Sequence, residues 1–286
     1  MKLENRGILI TGASQGLGNK IARACLEEGA HVLICGRSPK PLEEARAELA
    51  AAARNGQRVI SIAADVSQPD DVRKIFAAAQ HFPSLDGIVN NAAVLGPQGL
   101  TEEVDWDEWR RTIEINLFGA VLVCREALRL FRAQGYGKIV NLSGGGATGP
   151  RPRYSAYGSS KAALVRLTET LAAEVEGTGI GINAVSPGPM NTRMLDAVLA
   201  GGPDKAGGDE YRRALQQKES GGSPPAKAAA LCVFLLSAAS DGLSGRLLSA
   251  VWDPWEQLPT RLHELQNSDI YTLRRIVPAD RGLNWD

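Results

Sequence analysis

Thr11-Gly12-Ala13-Ser14-Gln15-Gly16-Leu17-Gly18 stands between a short β-branched run at 8–11 and a stretch of helical periodicity at 16–28, with Ile21, Ala24 and Cys25 on one face. Glycines between a strand and a helix permit a tight turn, close approach of backbone to a pyrophosphate, and close packing of helix on strand. The helix N-terminus then offers N–H groups to the anion. The spacing T-G-x-x-x-G-x-G differs from the commoner G-x-G-x-x-G, so its meaning comes from the strand before it and the helix after it.

Working outward, the alternation continues. Strands are predicted at 31–35, 58–63, 87–90, 138–142, 181–185 and 246–251. Helices are predicted at 41–53, 69–80 (with Ser67 as cap), 105–133, 155–176 and 225–237. Such a pattern implies an α/β fold, a parallel sheet with helices on both faces. Ligands in these sheets lie beyond the carboxyl ends of the strands. Thr11, Gly36, Asp65, Asn90, Ser143 and Pro187 all fall there. Between 200 and 225 the pattern loosens into glycine and proline pairs around a short helical piece at 211–218, which suits a movable flap over a site; an ordinary surface insertion reads the same way.

Two further stretches carry chemistry. The second strand ends Cys35-Gly36-Arg37-Ser38, with no carboxylate to bind a ribose diol. Arg37 could instead hold a 2′-phosphate, which favours NADP with NAD possible, or it could be a solvated arginine. Asp65, followed by Val66, could accept from an adenine amino group or cap the segment after it. Tyr157-Gly-Ser-Ser-Lys161 sets a phenol and an ammonium four residues apart, on one face of a helix. An ammonium beside a phenol favours the phenolate and lowers a pKa otherwise near about 10, which makes a usable proton donor and acceptor.

Together these stretches resemble the short-chain dehydrogenase/reductase family. The matching pieces are Thr11 through Gly18, Asn90-Asn-Ala-Ala93, Ile115-Asn116-Leu117, Tyr157 through Lys161 and Pro187-Gly-Pro-Met190, in family order over roughly the first 250 residues. The resemblance implies a Rossmann-type doubly wound sheet in a single domain, a nicotinamide cofactor, and hydride exchange with a small-molecule alcohol or carbonyl. Carried over, Tyr157 would be the general acid in reduction, and Lys161 would tune it and bind the nicotinamide ribose. Asn116 would hold a proton-relaying water, and Asn90 would steady the sheet beside the cofactor. Gly12, Ser14, Gly16, Leu17 and Gly18 would cradle the pyrophosphate, Asp65 and Val66 the adenine. Pro187, Gly188 and Thr192 would surround the carboxamide and pyrophosphate. Homodimers or homotetramers are implied too, through the helices at 105–133 and 155–176, where Val121, Leu122, Leu128, Leu164, Leu167 and Leu171 are apolar.

The chain departs from the pattern twice. The family's substrate-orienting serine lies thirteen residues before the tyrosine, and that position is Gly144 here, with Ser143 before it. Ser143, at the head of Ser143-Gly-Gly-Gly-Ala147, is the candidate for the role. The segment from 252 to 286, a tail beyond a catalytic domain at 1–251 with its flap near 190–222, replaces the usual early close. Trp252 and Trp255 could wall a polar substrate, and Arg274 and Arg275 could meet an anion. Alternatively the tail packs across a subunit interface.

Composition narrows the classes. Of 286 residues, 32 are Lys or Arg and 32 Asp or Glu, so net charge is zero and gives no footprint for nucleic acid or an anionic membrane. The longest apolar run, near 228–239, is too short to cross a bilayer, and the polar N-terminus lacks a signal-peptide pattern. Four scattered cysteines and three isolated histidines suggest buried thiols in a cytoplasmic protein and no metal site. The expectation is an NADP(H)-preferring enzyme interconverting a ketone and a secondary alcohol, with a carbohydrate or nucleotide sugar favoured as substrate. The alternative is a redox-inactive NADP(H)-binding regulatory protein on the same fold.

Overall fold

The computed structural model describes residues 1–54, 56–266 and 268–285. Its first strand, β1 (Gly7–Thr11), is buried at every position, as a central strand covered on both faces must be. Around it lie β2 (His31–Gly36), β3 (Val59–Ala63), β4 (Gly87–Asn90), β5 (Gly137–Leu142), β6 (Ile180–Ser186) and β7 (Leu247–Ser249). All neighbours pair in parallel, in the order β3-β2-β1-β4-β5-β6-β7. This is the Rossmann-type doubly wound sheet in a single domain. The order reverses between β1 and β4, and the crevice at that switch point is where such sheets bind ligands.

The crossovers run through α1 (Gly16–Glu27), α2 (Pro39–Ala52), α3 (Pro69–Ala79), α4 (Trp106–Ile113), α5 (Gly119–Gln134) and α6 (Ser155–Glu174). One apolar layer joins α1 to α9 (Pro225–Leu236), whose face from Ala228 to Leu236 is almost wholly buried. The opposite layer holds Val72, Ile75, Val123, Phe131 and Ile182. The four cysteines are buried thiols. Among the described residues no helix is long and apolar enough to cross a membrane.

Several expectations need correction. The helix expected at 105–133 is one rod interrupted by a π turn, Glu114–Phe118, which joins α4 to α5 at Asn116. Ser67 does not cap α3. Gln68 holds that position without a side-chain bond, while the Ser67 N–H and hydroxyl both donate to Asp65 Oδ1, at 3.0 and 2.7 Å. A carboxylate two residues back is the nearer acceptor, so the polar side chains close a turn instead. The flap carries two helices, not one short piece: α7 (Arg193–Ala206), kinked at Gly202, and α8 (Gly208–Ser220). Leu195, Val198, Ala206 and Ala214 give these helices a buried face against Tyr154 and Tyr157, which periodicity broken by glycine pairs concealed.

The start of the tail packs into the core. Trp255, Leu258 and Leu265 sink into the α1–α9 layer, the latter two on α10 (Leu258–Leu265). Trp255 tilts against Phe234 at 5.7 Å and cannot wall a substrate, whereas Trp252 stays 69% exposed. Arg274 is engaged by Asp269 and Asp280.

Candidate active site

At the switch point, the Thr11 hydroxyl accepts from the N–H groups of Asn91 and Ala92, each at 3.0 Å. Asn91 Nδ2 returns bonds to the carbonyls of Thr11 and Gly12 at 2.9 and 3.0 Å. The β1 and β4 ends are thereby stitched together. Gly12 lies at φ +65°, and a Cβ there would sit 2.7 Å from Ala92 Cα, so the stitch demands glycine. A Cβ on Gly18 would stand 2.5 Å from Asn91 Nδ2, so Gly18 serves packing. Gly16 meets nothing within 4 Å and leaves its space open.

That opening is a cleft of about 400 Å³. Its walls include Gly12, Ser14, Gly16 and Leu17 from the turn, Arg37 beyond β2, and Asp65 and Val66 beyond β3. Lys161, Pro187 and Thr192 line its other end. The α1 N-terminus has no side-chain cap, so its first N–H groups are free for an anion. A dinucleotide with its pyrophosphate on that helix fits this donor set. Asp65 is committed locally. Burial raises its carboxyl pKa, but the Ser67 bonds and the Arg111 guanidinium hold it below the usual range.

A second cleft, about 660 Å³, adjoins the first. Ser143, Tyr157, Pro187, Met190, Thr192 and Met194 line both, so Tyr157 stands at the junction. Gly188 and Trp252 face only the larger cleft, which α7 and α8 cover. Antiparallel pairing of Met190 with Gly222, and a 2.6 Å bond from Ser223 N to Pro189 O, close the flap at its base.

Tyr157 and Lys161 share a face of α6 and both are buried. Burial pushes the Tyr157 phenol up, and the opposing pull comes from Arg151. Burial also brings the Lys161 ammonium down to about 8. Its Nζ donates to Leu142 O at 2.7 Å and stands 5.7 Å from the centre of the Tyr157 ring. Two cations thus flank the Tyr157 ring at nearly equal distance, Lys161 at 5.7 Å and Arg151 at 5.6 Å. A Cβ at Gly144 would strike the Tyr157 hydroxyl, so a side chain there requires the phenol to shift. Ser143 Oγ is buried and has no partner among the described residues.

Asn116 and Asn90 lie off both clefts. The Asn116 amide accepts from Val94 N at 2.8 Å and donates to Val94 O at 2.9 Å and Ser160 Oγ at 3.1 Å. That leaves its side chain no free donor for a water. Asn90 Nδ2 donates to Asn141 Oδ1 at 2.9 Å, and Asn141 Nδ2 to Thr168 Oγ1 at 2.8 Å, a buried polar chain from β4 to α6. Sequence reading missed Arg151, Glu210 and Met190 as lining residues. Asn91 lay within the quoted motif, but its bonds to the turn became visible only across the sheet.

A family model described as short chain dehydrogenase matches residues 6–201. A short-chain type dehydrogenase/reductase of Picea abies is 38% identical over 201 residues, 68% of this chain and 74% of that protein. Cis-4-hydroxycyclohexanecarboxylate dehydrogenase of Sinomonas cyclohexanicum is 37% identical over 198 residues, 68% of this chain and 77% of that one. The crystal structure of an NAD+-bound xylitol dehydrogenase superimposes with a TM-score of 0.78 at 28% identity, covering 87% of this chain and 98% of its own.

Proposed function

This chain belongs to the short-chain dehydrogenase family, and on that premise we propose that it is an NADP(H)-preferring enzyme interconverting a secondary alcohol and a ketone. Oxidoreductase action on CH–OH groups is the family's chemistry, and the relative acting on a hydroxycyclohexanecarboxylate is of that kind. One observation carries the reading: two clefts meet at a single buried phenol, Tyr157. A bound nicotinamide supplies the hydride donor or acceptor on the smaller-cleft side.

Tyr157 gives its proton to the substrate oxygen in reduction and takes it back in oxidation. Burial keeps the phenol protonated, ready to donate, and the Arg151 guanidinium offsets part of that burial and favours the phenolate left after transfer. Lys161, buried and titrating near 8, holds a proton close to that phenol and returns it as needed. Ser143 lies on the shared wall and, after rotation of its hydroxyl, donates a second hydrogen bond to the substrate oxygen. Asn116 is a positioning residue that fixes the Val94 backbone and Ser160 around this pair.

Preference for NADP is supported by Arg37, which lines the smaller cleft beyond β2, while the carboxylate of that lining, Asp65, is engaged by Ser67 and Arg111. For the substrate, Leu95, Met194, Leu195 and Val198 offer an apolar wall opposite a polar end, which suits a ring of medium size with a polar substituent. The sugar expectation keeps only Trp252 of its two aromatic supports. Trp106 and Phe118, 66% and 53% exposed on the α4–α5 rod, support a homo-oligomer formed there. Four buried thiols suit a reducing cytoplasm.

The test is NADPH oxidation with a panel of cyclic ketones and keto-sugars, the native protein beside Tyr157→Phe and Arg37→Ala. Tyr157→Phe should lose turnover while NADPH affinity stays nearly unchanged; substantial residual rate would remove the acid assignment. Arg37→Ala should weaken NADPH far more than NADH, and equal losses would end the case for a phosphate contact.

A further inference from the structure

The larger cleft ends in an arginine that the proton chemistry does not exhaust. Arg151 lies in the loop between β5 and α6. Its guanidinium stacks 4.3 Å above the Tyr154 ring and 5.6 Å from the Tyr157 ring. Nε and Nη2 both donate to Glu210 Oε1 on α8, at 3.1 and 2.5 Å. Nη1 makes no hydrogen bond among the described residues and lies 3.8 Å from where a Cβ on Gly145 would stand. Gly144 leaves room for the Tyr157 hydroxyl, and Arg151 stands at ordinary contact distance over the neighbouring Gly145. Successive Cα atoms are about 3.8 Å apart, so a proton donor and a cation face the cleft one residue from each other.

The charges lining that cleft do not cancel. Arg151, Arg153 and Arg213 stand against Asp209 and Glu210, a surplus of one positive charge. Glu210 is shared, since its other oxygen lies 3.3 Å from Arg213. Arg153 is turned to the Asp204 carbonyl, and Asp209 pairs with Arg212. The Arg213 side chain is 72% exposed, whereas Arg151 is 21% exposed and presents its unpartnered edge while fixed by its stacking and its carboxylate.

From this geometry we propose that Arg151 binds an anionic substituent of the substrate, a carboxylate a few bonds from the carbinol carbon, so that the enzyme acts on hydroxy acids and their keto acids. Glu210 orients the guanidinium, and its charge tempers the pull on the ligand. The proposal rests on the oxidoreductase reading for its reaction but not for its binding step. A planar guanidinium held on three sides suits a carboxylate better than a mobile ammonium would.

Binding of unreactive ligands separates the two claims. Calorimetry on the cofactor-saturated protein would compare cyclohexanecarboxylate with cyclohexanecarboxamide, equal in shape and different in charge. The carboxylate should bind about tenfold tighter. Arg151→Met should abolish that preference, with NADPH affinity retained as evidence of an intact fold. Glu210→Gln keeps an acceptor for Arg151 and removes a negative charge, so the preference should grow. Equal binding of the two ligands, including no binding of either at millimolar concentration, overturns the proposal. So does a preference that survives Arg151→Met or shrinks in Glu210→Gln. Failure of the oxidoreductase reading would appear elsewhere, as turnover indifferent to Tyr157, and would leave this binding preference in place.

Discussion

Ser143 poses the sharpest question at the scale of single residues. Its hydroxyl is buried without a partner, a state that ordinarily costs about 1–3 kcal/mol. A group of this kind at the junction of the clefts is free to meet a ligand, and the use proposed for it is a hydrogen bond to the substrate oxygen. Ser143→Ala should therefore leave the melting temperature unchanged or slightly higher, while kcat falls by about 10²-fold. An unchanged kcat would mean that Tyr157 polarises the substrate alone. Tyr157 and Lys161 were legible in the sequence because helical spacing puts them on one face whatever surrounds them. Arg151 was not, since its meaning depends on Glu210, 59 positions away on the flap. The environment of Lys161 was equally hidden. Sequence spacing suggests a partner for the phenol, whereas the fold first gives the ammonium a backbone carbonyl, Leu142 O.

Among the elements, strands and crossover helices were readable from alternation because each buries one face in a regular period. The π turn was not, since no local residue announces it. It coincides with Asn116 bonding the Val94 backbone, a tertiary demand placed on a helix. The flap escaped for a different reason. Gly201-Gly202-Pro203 looks like an ending, yet the chain only kinks there and continues to Ala206. Its base offers a test. Gly222 lies at φ +65°, and a Cβ there would come 2.9 Å from the Pro189 carbonyl. Gly222→Ala therefore adds left-handed strain and a clash at the hinge, a local cost of about 1–3 kcal/mol. Faster hydrogen exchange across 193–220 and a raised KM for the ketone are expected, with NADPH weakened too, since Met190, Thr192 and Met194 line the smaller cleft as well. Exchange as slow as in the native protein would show that the base is not where the flap is held.

For the molecule as a whole, the tail decides how the sheet ends. β7 is an edge strand, and exposed edges invite pairing with other chains. Here Leu247 N donates to Tyr271 O at 2.8 Å, so the tail occupies the ladder position beside β7. Glu169 accepts from Leu273 N at 2.6 Å, tying the same segment to α6. The chief clamp is Arg246, whose guanidinium donates to the carbonyls of Leu265, Ser268 and Ile270 at 2.6, 2.9 and 2.7 Å. None of this was legible in the sequence, because irregular carbonyls gathered by one cation leave no periodicity. Arg246→Met keeps the apolar stem and removes all three bonds at a partly exposed site, a loss of about 2 kcal/mol. At this chain length the melting temperature should fall by several degrees. Limited proteolysis should then cut within 268–285 well before the sheet, since a released tail opens locally at little cost. The smaller cleft contains no tail residue, so NADPH affinity should survive the change. A native cleavage pattern in the variant would transfer the clamp to Glu169 and the Leu247–Tyr271 bond, and the edge would then be protected by backbone pairing without need of the arginine.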